Sequence, residues 1–193
     1  HSEEISVYGM LQPYYGNGQR SNTMVEHATP AMTRAAAANF WQAGVDGLYT
    51  WFMPWPLGPA ERQTLTEIGD PDLIQDADKH YFLRRRSENP NRFDYPAYLP
   101  VEIPAADPKQ RYQIPFTMAD SADNDRIQHI HLKLNITNLV TADHIEVALN
   151  GVVLSPDTCR HTIRPYDTFT GQWLVFDLAA TPPKQGANIL EIA

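Results

Sequence analysis

Two neighbouring side chains in the first third of the sequence, Glu26 and His27, are of types that transfer protons. A carboxyl group can act as a general acid or base, and an imidazole can relay the proton or hydrogen-bond the carboxyl group. Arg20, which precedes them, carries a guanidinium that can bind a carboxylate or a sulfate in a bidentate manner. The alternative for all three residues is a solvated loop. Glu26 is therefore the candidate catalytic residue, and Arg20 and His27 are candidate binding residues.

Four aromatic residues lie at or just past the ends of two predicted strands. Tyr14 and Tyr15 end the first strand, and Trp51 and Trp55 lie at and beyond the end of the second. An aromatic ring offers a large apolar surface on which a ligand can stack. The alternative is plain packing beneath the loops. The two tryptophans are the stronger candidates for ligand contact, because the loop that carries them is stiffened by prolines.

The remaining histidines and the cysteine do not predict a metal or nucleophile site. His129 and His131 lie on one face of a predicted strand, a spacing compatible with two metal ligands, but the sequence places no acidic third ligand beside them. We expect both to be exposed histidines of a sheet. Cys159 has no recognisable catalytic partner and is expected to be a buried or half-buried thiol. No metal or cofactor is expected.

The first third of the chain alternates strand and helix, which is typical of a parallel sheet in an α/β protein or barrel. Thr29 is a suitable N-cap, Pro30 suits the first turn, and Gly44 suits the position after the helix. Two such units cannot close an eight-stranded barrel, so the open sheet edge must be covered by the rest of the protein or by a second chain. The predicted elements are strand 5–15, a long loop, helix 32–43, strand 45–52 and helix 61–68.

From about residue 79 the apolar residues alternate with period two, which predicts an antiparallel β-sandwich over 79–193 with a Pro-rich connection at 89–108. Asn150-Gly151 is a strong hairpin signal, and Pro115 places its strand at a sheet edge. The predicted strands are 112–118, 129–136, 144–149, 152–154, 172–178 and 188–192, with a further one at 81–83. The residues predicted to face the core are Ile130, Leu132, Leu134, Ile136, Val147, Leu149, Trp173, Val175 and Ile189.

Composition narrows the class of protein. The 193 residues include 15 Lys and Arg against 23 Asp and Glu, a net charge of −8 that argues against nucleic acid as a partner. No apolar run is long enough to predict a membrane span. A single cysteine excludes an internal disulfide framework and leaves the compartment open, so a secreted or periplasmic bacterial location is compatible. Both ends of the sequence look like cuts, and we expect a fragment of a longer protein.

Three motifs of the first half stand in a characteristic order: Phe40-Trp41-x-x-Gly44-x-Asp46-Gly47-Leu48-Tyr49, then Ile68-Gly69-Asp70-Pro71, then Asp78-Lys79-x-Tyr81. The second half contains the hairpin 147–151 and the final strand 188–192. Together these motifs resemble the end of a glycoside-hydrolase-like (β/α)8 barrel that is followed by a C-terminal β-sandwich.

The resemblance implies that residues 1–78 are about the last two βα units of a TIM-type barrel and that the parent protein acts on or binds polysaccharide. Retaining glycosidases use two carboxylates, which in such barrels commonly follow the fourth and seventh strands. The fourth strand is missing, and Gln12-Pro13-Tyr14-Tyr15 places no carboxylate at the end of the strand that would be the seventh. We therefore expect the fragment itself to be inactive. The alternative is a non-catalytic carbohydrate-binding or structural β-sandwich module.

Overall fold

The computed structural model describes residues 5–11, 14–16, 25–50, 56–83, 98–104, 110–122, 127–140, 142–162 and 171–193. The fold is mixed and mostly β, with several antiparallel sheets. The chain forms two compact units, His1–Val101 with Thr117–Asp120, and Glu102–Phe116 with Ser121–Ala193. The domain boundary between residues 78 and 79 stays a prediction. Among the described residues, no helix combines the length and the apolar character needed to cross a membrane.

The first unit contains the predicted succession of strand, helix, strand and helix. β1 and β4 pair in parallel, with Leu11 opposite Thr50 at the end of the pair. β2 and β3 form a separate antiparallel pair within the segment that was predicted as one strand end and a loop. The elements are β1 Tyr8–Leu11, β2 Tyr14–Gly16, β3 Val25–His27, α1 Pro30–Gln42, β4 Gly47–Thr50, α2 Pro59–Ile68 and α3 Pro71–Ile74.

Helix α1 begins and ends where its sequence predicts. The Thr29 hydroxyl accepts a hydrogen bond from the Met32 amide at 3.3 Å, which satisfies one of the free donors of the first turn. Gly44, with φ of 81°, follows the last turn in the left-handed conformation that glycine adopts without strain. Gly9 lets β1 approach this helix closely, because a Cβ atom there would lie 2.6 Å from the Phe40 ring.

Phe40 and Trp41 of α1 pack against the core of the first unit. The Trp41 indole donates a hydrogen bond of 2.9 Å to the Ile68 carbonyl oxygen at the end of α2. Arg34 Nε lies 2.7 Å from Glu67 Oε2, and this hydrogen bond holds the pKa of Glu67 below its ordinary value. The core beneath α1 and α2 consists of Leu11, Ala37, Ala38, Ile68 and Ile74.

Helix α2 ends at Ile68, before Gly69-Asp70-Pro71, as predicted. The Asp70 carboxylate then accepts a hydrogen bond of 2.9 Å from the Asp72 amide and caps the short helix α3. One local prediction is wrong, because residues 81–83 form no strand. The Tyr81 hydroxyl instead donates a hydrogen bond of 2.9 Å to Asp120 Oδ2.

The second unit contains two sheets, a three-stranded sheet of order β6-β10-β9 and a four-stranded sheet of order β5-β11-β7-β8, in which β5 belongs to this unit as far as Phe116. β5 lies at an edge of its sheet, as Pro115 predicts. β9 is a polar strand that the sequence pattern did not predict. The elements are β5 Tyr112–Met118, β6 His131–Ile136, β7 Val147–Leu149, β8 Val152–Val153, a 3-10 turn Pro156–Thr158, β9 Cys159–Thr162, β10 Gln172–Asp177 and β11 Gly186–Ile192.

The Asn150-Gly151 hairpin is confirmed. Leu149 pairs with Val152, which leaves a two-residue loop between β7 and β8. Asn150 and Gly151 have φ of 53° and 82°, the positive values that this turn requires at both central positions.

A buried asparagine joins this turn to the last strand. Asn188 is 1% exposed and uses both ends of its amide. Its oxygen accepts from the Lys184 amide at 2.8 Å and from Asn150 Nδ2 at 2.9 Å, and its nitrogen donates to the carbonyl oxygens of Lys184 at 2.8 Å and Gly186 at 3.0 Å. A buried amide with all its hydrogen-bonding groups satisfied fixes the geometry around it.

The predicted faces are correct for β6 and β7 and wrong for β10 and β11. Leu174 and Phe176 of β10 are 8% and 5% exposed, whereas Trp173 is 41% exposed. Trp173 pairs with Asn135, and opposite residues of an antiparallel pair share a face. Because Asn135 lies on the polar face of β6, Trp173 must lie on that face too.

In β11, as in β10, the face that was predicted to be buried is the exposed one. Ile189 is 41% exposed, and the buried residues are Asn188, Leu190 and Ile192. The strand contains apolar residues on both faces, so its own alternation does not decide which face is covered.

Candidate functional site

The exposed tryptophan of β10 lies among side chains that can hydrogen-bond a ligand. Trp173 is opposite Asn135, and Val175 is opposite Lys133 on one side and Arg160 on the other. Directly opposite side chains of antiparallel strands have Cβ atoms roughly 5 Å apart. We call these five residues the Trp173 face.

Every member of the Trp173 face except Val175 is exposed. Trp173 offers a large apolar surface, and the Asn135 amide offers both donors and an acceptor. Gly171, with φ of 91°, precedes β10 and leaves the space that the Asn135 side chain occupies, since a Cβ atom at this position would collide with Asn135 Oδ1. The turn before β10 therefore helps to hold the amide beside the strand that carries the ring.

The two histidines predicted to be exposed are exposed. The rings of His129 and His131 are stacked, with centroids 6.1 Å apart and planes within 5° of parallel. His131 is opposite Asp177, whose Oδ1 accepts a hydrogen bond of 2.9 Å from the Ala179 amide. Within the part of the chain that the structure describes, no group of three or more His, Cys, Asp or Glu side chains could hold a metal ion.

Cys159 is half-buried, as predicted, and pairs with Phe176 across the sheet. Burial raises the pKa of its thiol. A raised pKa lowers the fraction of thiolate, which is the nucleophilic form. The environment of Cys159 therefore favours an inert thiol.

The residues predicted at the barrel face fall into two groups. Tyr14 and Tyr15 lie in β2, and their backbones pair with those of His27 and Glu26 of β3, respectively. The pairing makes these four candidates neighbours in two adjacent strands. Glu26 and His27 were predicted to lie in a loop, and that prediction is wrong. Arg20, Trp51 and Trp55 lie outside the described residues.

A second polar cluster lies in the first unit and is fully paired. The Lys79 side chain is 4% exposed, and its ammonium group lies 3.0 Å from Asp120 Oδ1. Lys79 also donates to the carbonyl oxygens of Gln75 at 3.1 Å and Ala77 at 3.3 Å, while the Tyr81 hydroxyl donates to Asp120 Oδ2 at 2.9 Å. Burial, followed by the charge of Asp120, raises the pKa of Tyr81. All three groups are committed to one another, so the cluster supports the fold rather than a reaction.

The sequence did not predict the Trp173 face, although its pattern placed two of the five residues correctly. The alternation of β6 correctly placed Lys133 and Asn135 on the polar face. The missing information was the register between β6 and β10, which puts Trp173 on that same face.

Comparison with known proteins yields no family model that matches the chain and no curated protein that matches it. The function of the chain must therefore be argued from its own geometry.

Proposed function

We propose that this chain binds polysaccharide through the Trp173 face, as a non-catalytic part of a glycoside-hydrolase-like protein. The observation that carries this proposal is that Trp173, which is 41% exposed while Leu174 and Phe176 of the same strand are buried, has Asn135, Lys133 and Arg160 beside it on the same face. A large ring that remains exposed beside a formed core is free to bury its surface against a ligand.

The neighbours of the ring fit a sugar better than an apolar partner. A pyranose ring has an apolar face for stacking and hydroxyl groups around its rim. Trp173 supplies the stacking surface, and Asn135 supplies hydrogen bonds beside it. A protein partner that docks through apolar contacts alone would leave the amide and the two nearby cations desolvated without partners, which costs free energy.

The remainder of the proposal concerns the parent protein. The parallel pair of β1 and β4 with α1 between them supports the expectation that the first unit comes from a TIM-type barrel, with the second unit as an appended β-sandwich. In that arrangement the rest of the barrel covers the open edge of the pair. A parent that acts on polysaccharide would hold the substrate partly through this chain.

The direct test is titration of the 193-residue chain with a panel of polysaccharides and their oligosaccharides. Trp173→Ala should weaken binding at least about tenfold, because the contact with a large aromatic surface is lost. Ile189→Ala is a matched control, since Ile189 is also 41% exposed but lies on β11. Equal affinity of the unsubstituted chain and Trp173→Ala would contradict the proposal.

A second candidate function places the sugar at the carboxyl ends of β1 and β4. The parallel register favours it, because Leu11 and Thr50 end their strands side by side, and parallel strands of barrels carry their sites at this end. Trp55→Ala tests this candidate. Weaker binding by Trp55→Ala, with Trp173→Ala unchanged, would move the site to the first unit.

We expect the chain to have no hydrolytic activity of its own. The reason is that Glu26 is the one candidate catalytic carboxylate and retaining hydrolysis needs a pair. Turnover of aryl glycosides and polysaccharides measures this. Activity that disappears in Glu26→Gln would contradict the expectation and make Glu26 catalytic.

A further inference from the structure

We propose that the polysaccharide bound at the Trp173 face is acidic, and that Lys133 and Arg160 bind its anionic groups while Trp173 stacks on a sugar ring. This inference rests on the proposed function and deepens it, because a neutral polysaccharide would need the ring but not the cations.

The register places the two cations symmetrically about the strand that carries the ring. Lys133 and Arg160 flank Val175 from opposite sides, which puts their backbones about 10 Å apart across β10. Val175 is two residues beyond Trp173 on the same face, so each cation is a diagonal neighbour of the ring, roughly 7–8 Å away between backbones. Both side chains are long enough to reach a ligand that lies on the ring.

Neither cation is neutralised by a described residue. The ion pairs among the described residues join Arg34 to Glu67, Lys79 to Asp120 and Arg111 to Glu146, and none of them includes Lys133 or Arg160. Asp177 shares this face two residues beyond Val175, on the side away from Trp173, and its Oδ1 accepts a hydrogen bond from the Ala179 amide. The positive charge beside Trp173 is therefore available to a ligand.

The negative charge of the whole chain restricts the binding of an acidic ligand to this local cluster of cations. A net charge of −8 repels polyanions in general, so an acidic ligand should bind only where cations are concentrated and a second contact is present. The same net charge disfavours a nucleic acid, which binds largely through an extended basic surface. Carboxylate and sulfate groups both fit an ammonium and a guanidinium group, and the guanidinium can engage them in a bidentate manner.

The experiment is calorimetric titration of the full chain with oligogalacturonates, sulfated galactan oligosaccharides, neutral glucan oligosaccharides and a single-stranded oligonucleotide. The test variant is the double substitution Lys133→Gln with Arg160→Gln. The control is Arg62→Gln with Lys184→Gln, which removes two exposed cations elsewhere and gives the same net charge. A further arm repeats the titrations at high salt.

We expect one of the two acidic oligosaccharides, uronate or sulfate, to bind most tightly, and the test variant to lose about fivefold to tenfold in affinity for it, with no loss in the control. High salt should weaken this binding, but the loss of affinity caused by Trp173→Ala should persist at high salt. One result would overturn the inference that the ligand is acidic and leave the proposed function intact. In that result neutral and acidic sugars bind with equal affinity, Trp173→Ala binds more weakly and the test variant binds as well as the unsubstituted chain. Tightest binding of the oligonucleotide, or equal loss in the control variant, would also overturn that inference. Binding of none of the sugars would overturn both proposals.

Discussion

The outward-facing sides of the two sheets in the second unit differ in what their polar residues contact. On the four-stranded sheet, Gln113 Nε2 donates a hydrogen bond of 3.0 Å to Glu191 Oε1, so these polar groups satisfy each other. On the three-stranded sheet, Lys133 and Arg160 lie beside Trp173 without an ion pair to any described residue. Each sheet also exposes a large hydrophobic residue to the same extent, Ile189 and Trp173 at 41%.

The difference shows that exposure of a hydrophobic residue does not by itself indicate a site. Single exposed apolar residues are ordinary on protein surfaces. The Trp173 face is distinguished by the type of side chain and by two cationic neighbours that form no ion pair with a described residue. Ile189 has neither property, since it is aliphatic and the polar side chains Gln113 and Glu191 on its sheet hydrogen-bond to each other.

The largest expected effect tests which side of β10 is the core. Phe176→Ala should lower the free energy of unfolding by about 3–5 kcal/mol, because it removes a ring that is 5% exposed. Trp173→Ala should cost less than about 1 kcal/mol, because the ring is not part of the core. Urea unfolding followed by far-ultraviolet circular dichroism measures both. Equal costs would mean that Trp173 is packed and that the Trp173 face does not exist as described.

The next effect concerns the buried amide of the four-stranded sheet. Asn188→Ala should cost about 2–3 kcal/mol, because the Lys184 amide and Asn150 side chain lose their acceptor in a buried setting. Asn135→Ala, on the exposed side of the other sheet, should change stability by less than about 0.5 kcal/mol. The same unfolding experiment compares them. A loss at Asn188 no larger than at Asn135 would contradict the role of Asn188 as the polar anchor of its sheet.

The smallest expected effect is that of alanine at Gly171 or Gly151, and comparing the two distinguishes backbone strain from damage to the Trp173 face. Gly171 and Gly151 have φ of 91° and 82°, so alanine at either position should cost about 1 kcal/mol. A Cβ atom at Gly151 meets nothing within 4 Å, whereas one at Gly171 collides with Asn135. Gly171→Ala should therefore also weaken polysaccharide binding, by about twofold to threefold. Weaker binding in Gly151→Ala as well would show that general destabilisation is the cause.

Local signals predicted much of this fold. The Asn150-Gly151 turn, the caps of α1 and the alternation of β6 are each decided by a few adjacent residues, and each agrees with the structure. β9 was missed because Cys-Arg-His-Thr has little apolar periodicity, and its pairing with β10 is decided by residues outside the strand.

The reversed face of β10 has a specific cause. Residues 173–176 are all apolar, so a period of two fits either face equally well. The choice is made by the register with β6, in which Leu174 meets Leu134 and Trp173 meets Asn135. A non-local contact of this kind cannot be read from the strand itself, and for that reason the sequence pattern placed Trp173 in the core.

The measurement that tests the central claim most directly is calorimetric titration of one polysaccharide-derived oligosaccharide into three proteins: the parent chain, Trp173→Ala and Ile189→Ala. We expect Trp173→Ala to lose at least about tenfold in affinity, while Ile189→Ala stays within about twofold of the unsubstituted chain. Retention of folding by both variants is checked by circular dichroism. Equal affinities for all three proteins would contradict a carbohydrate site at the Trp173 face.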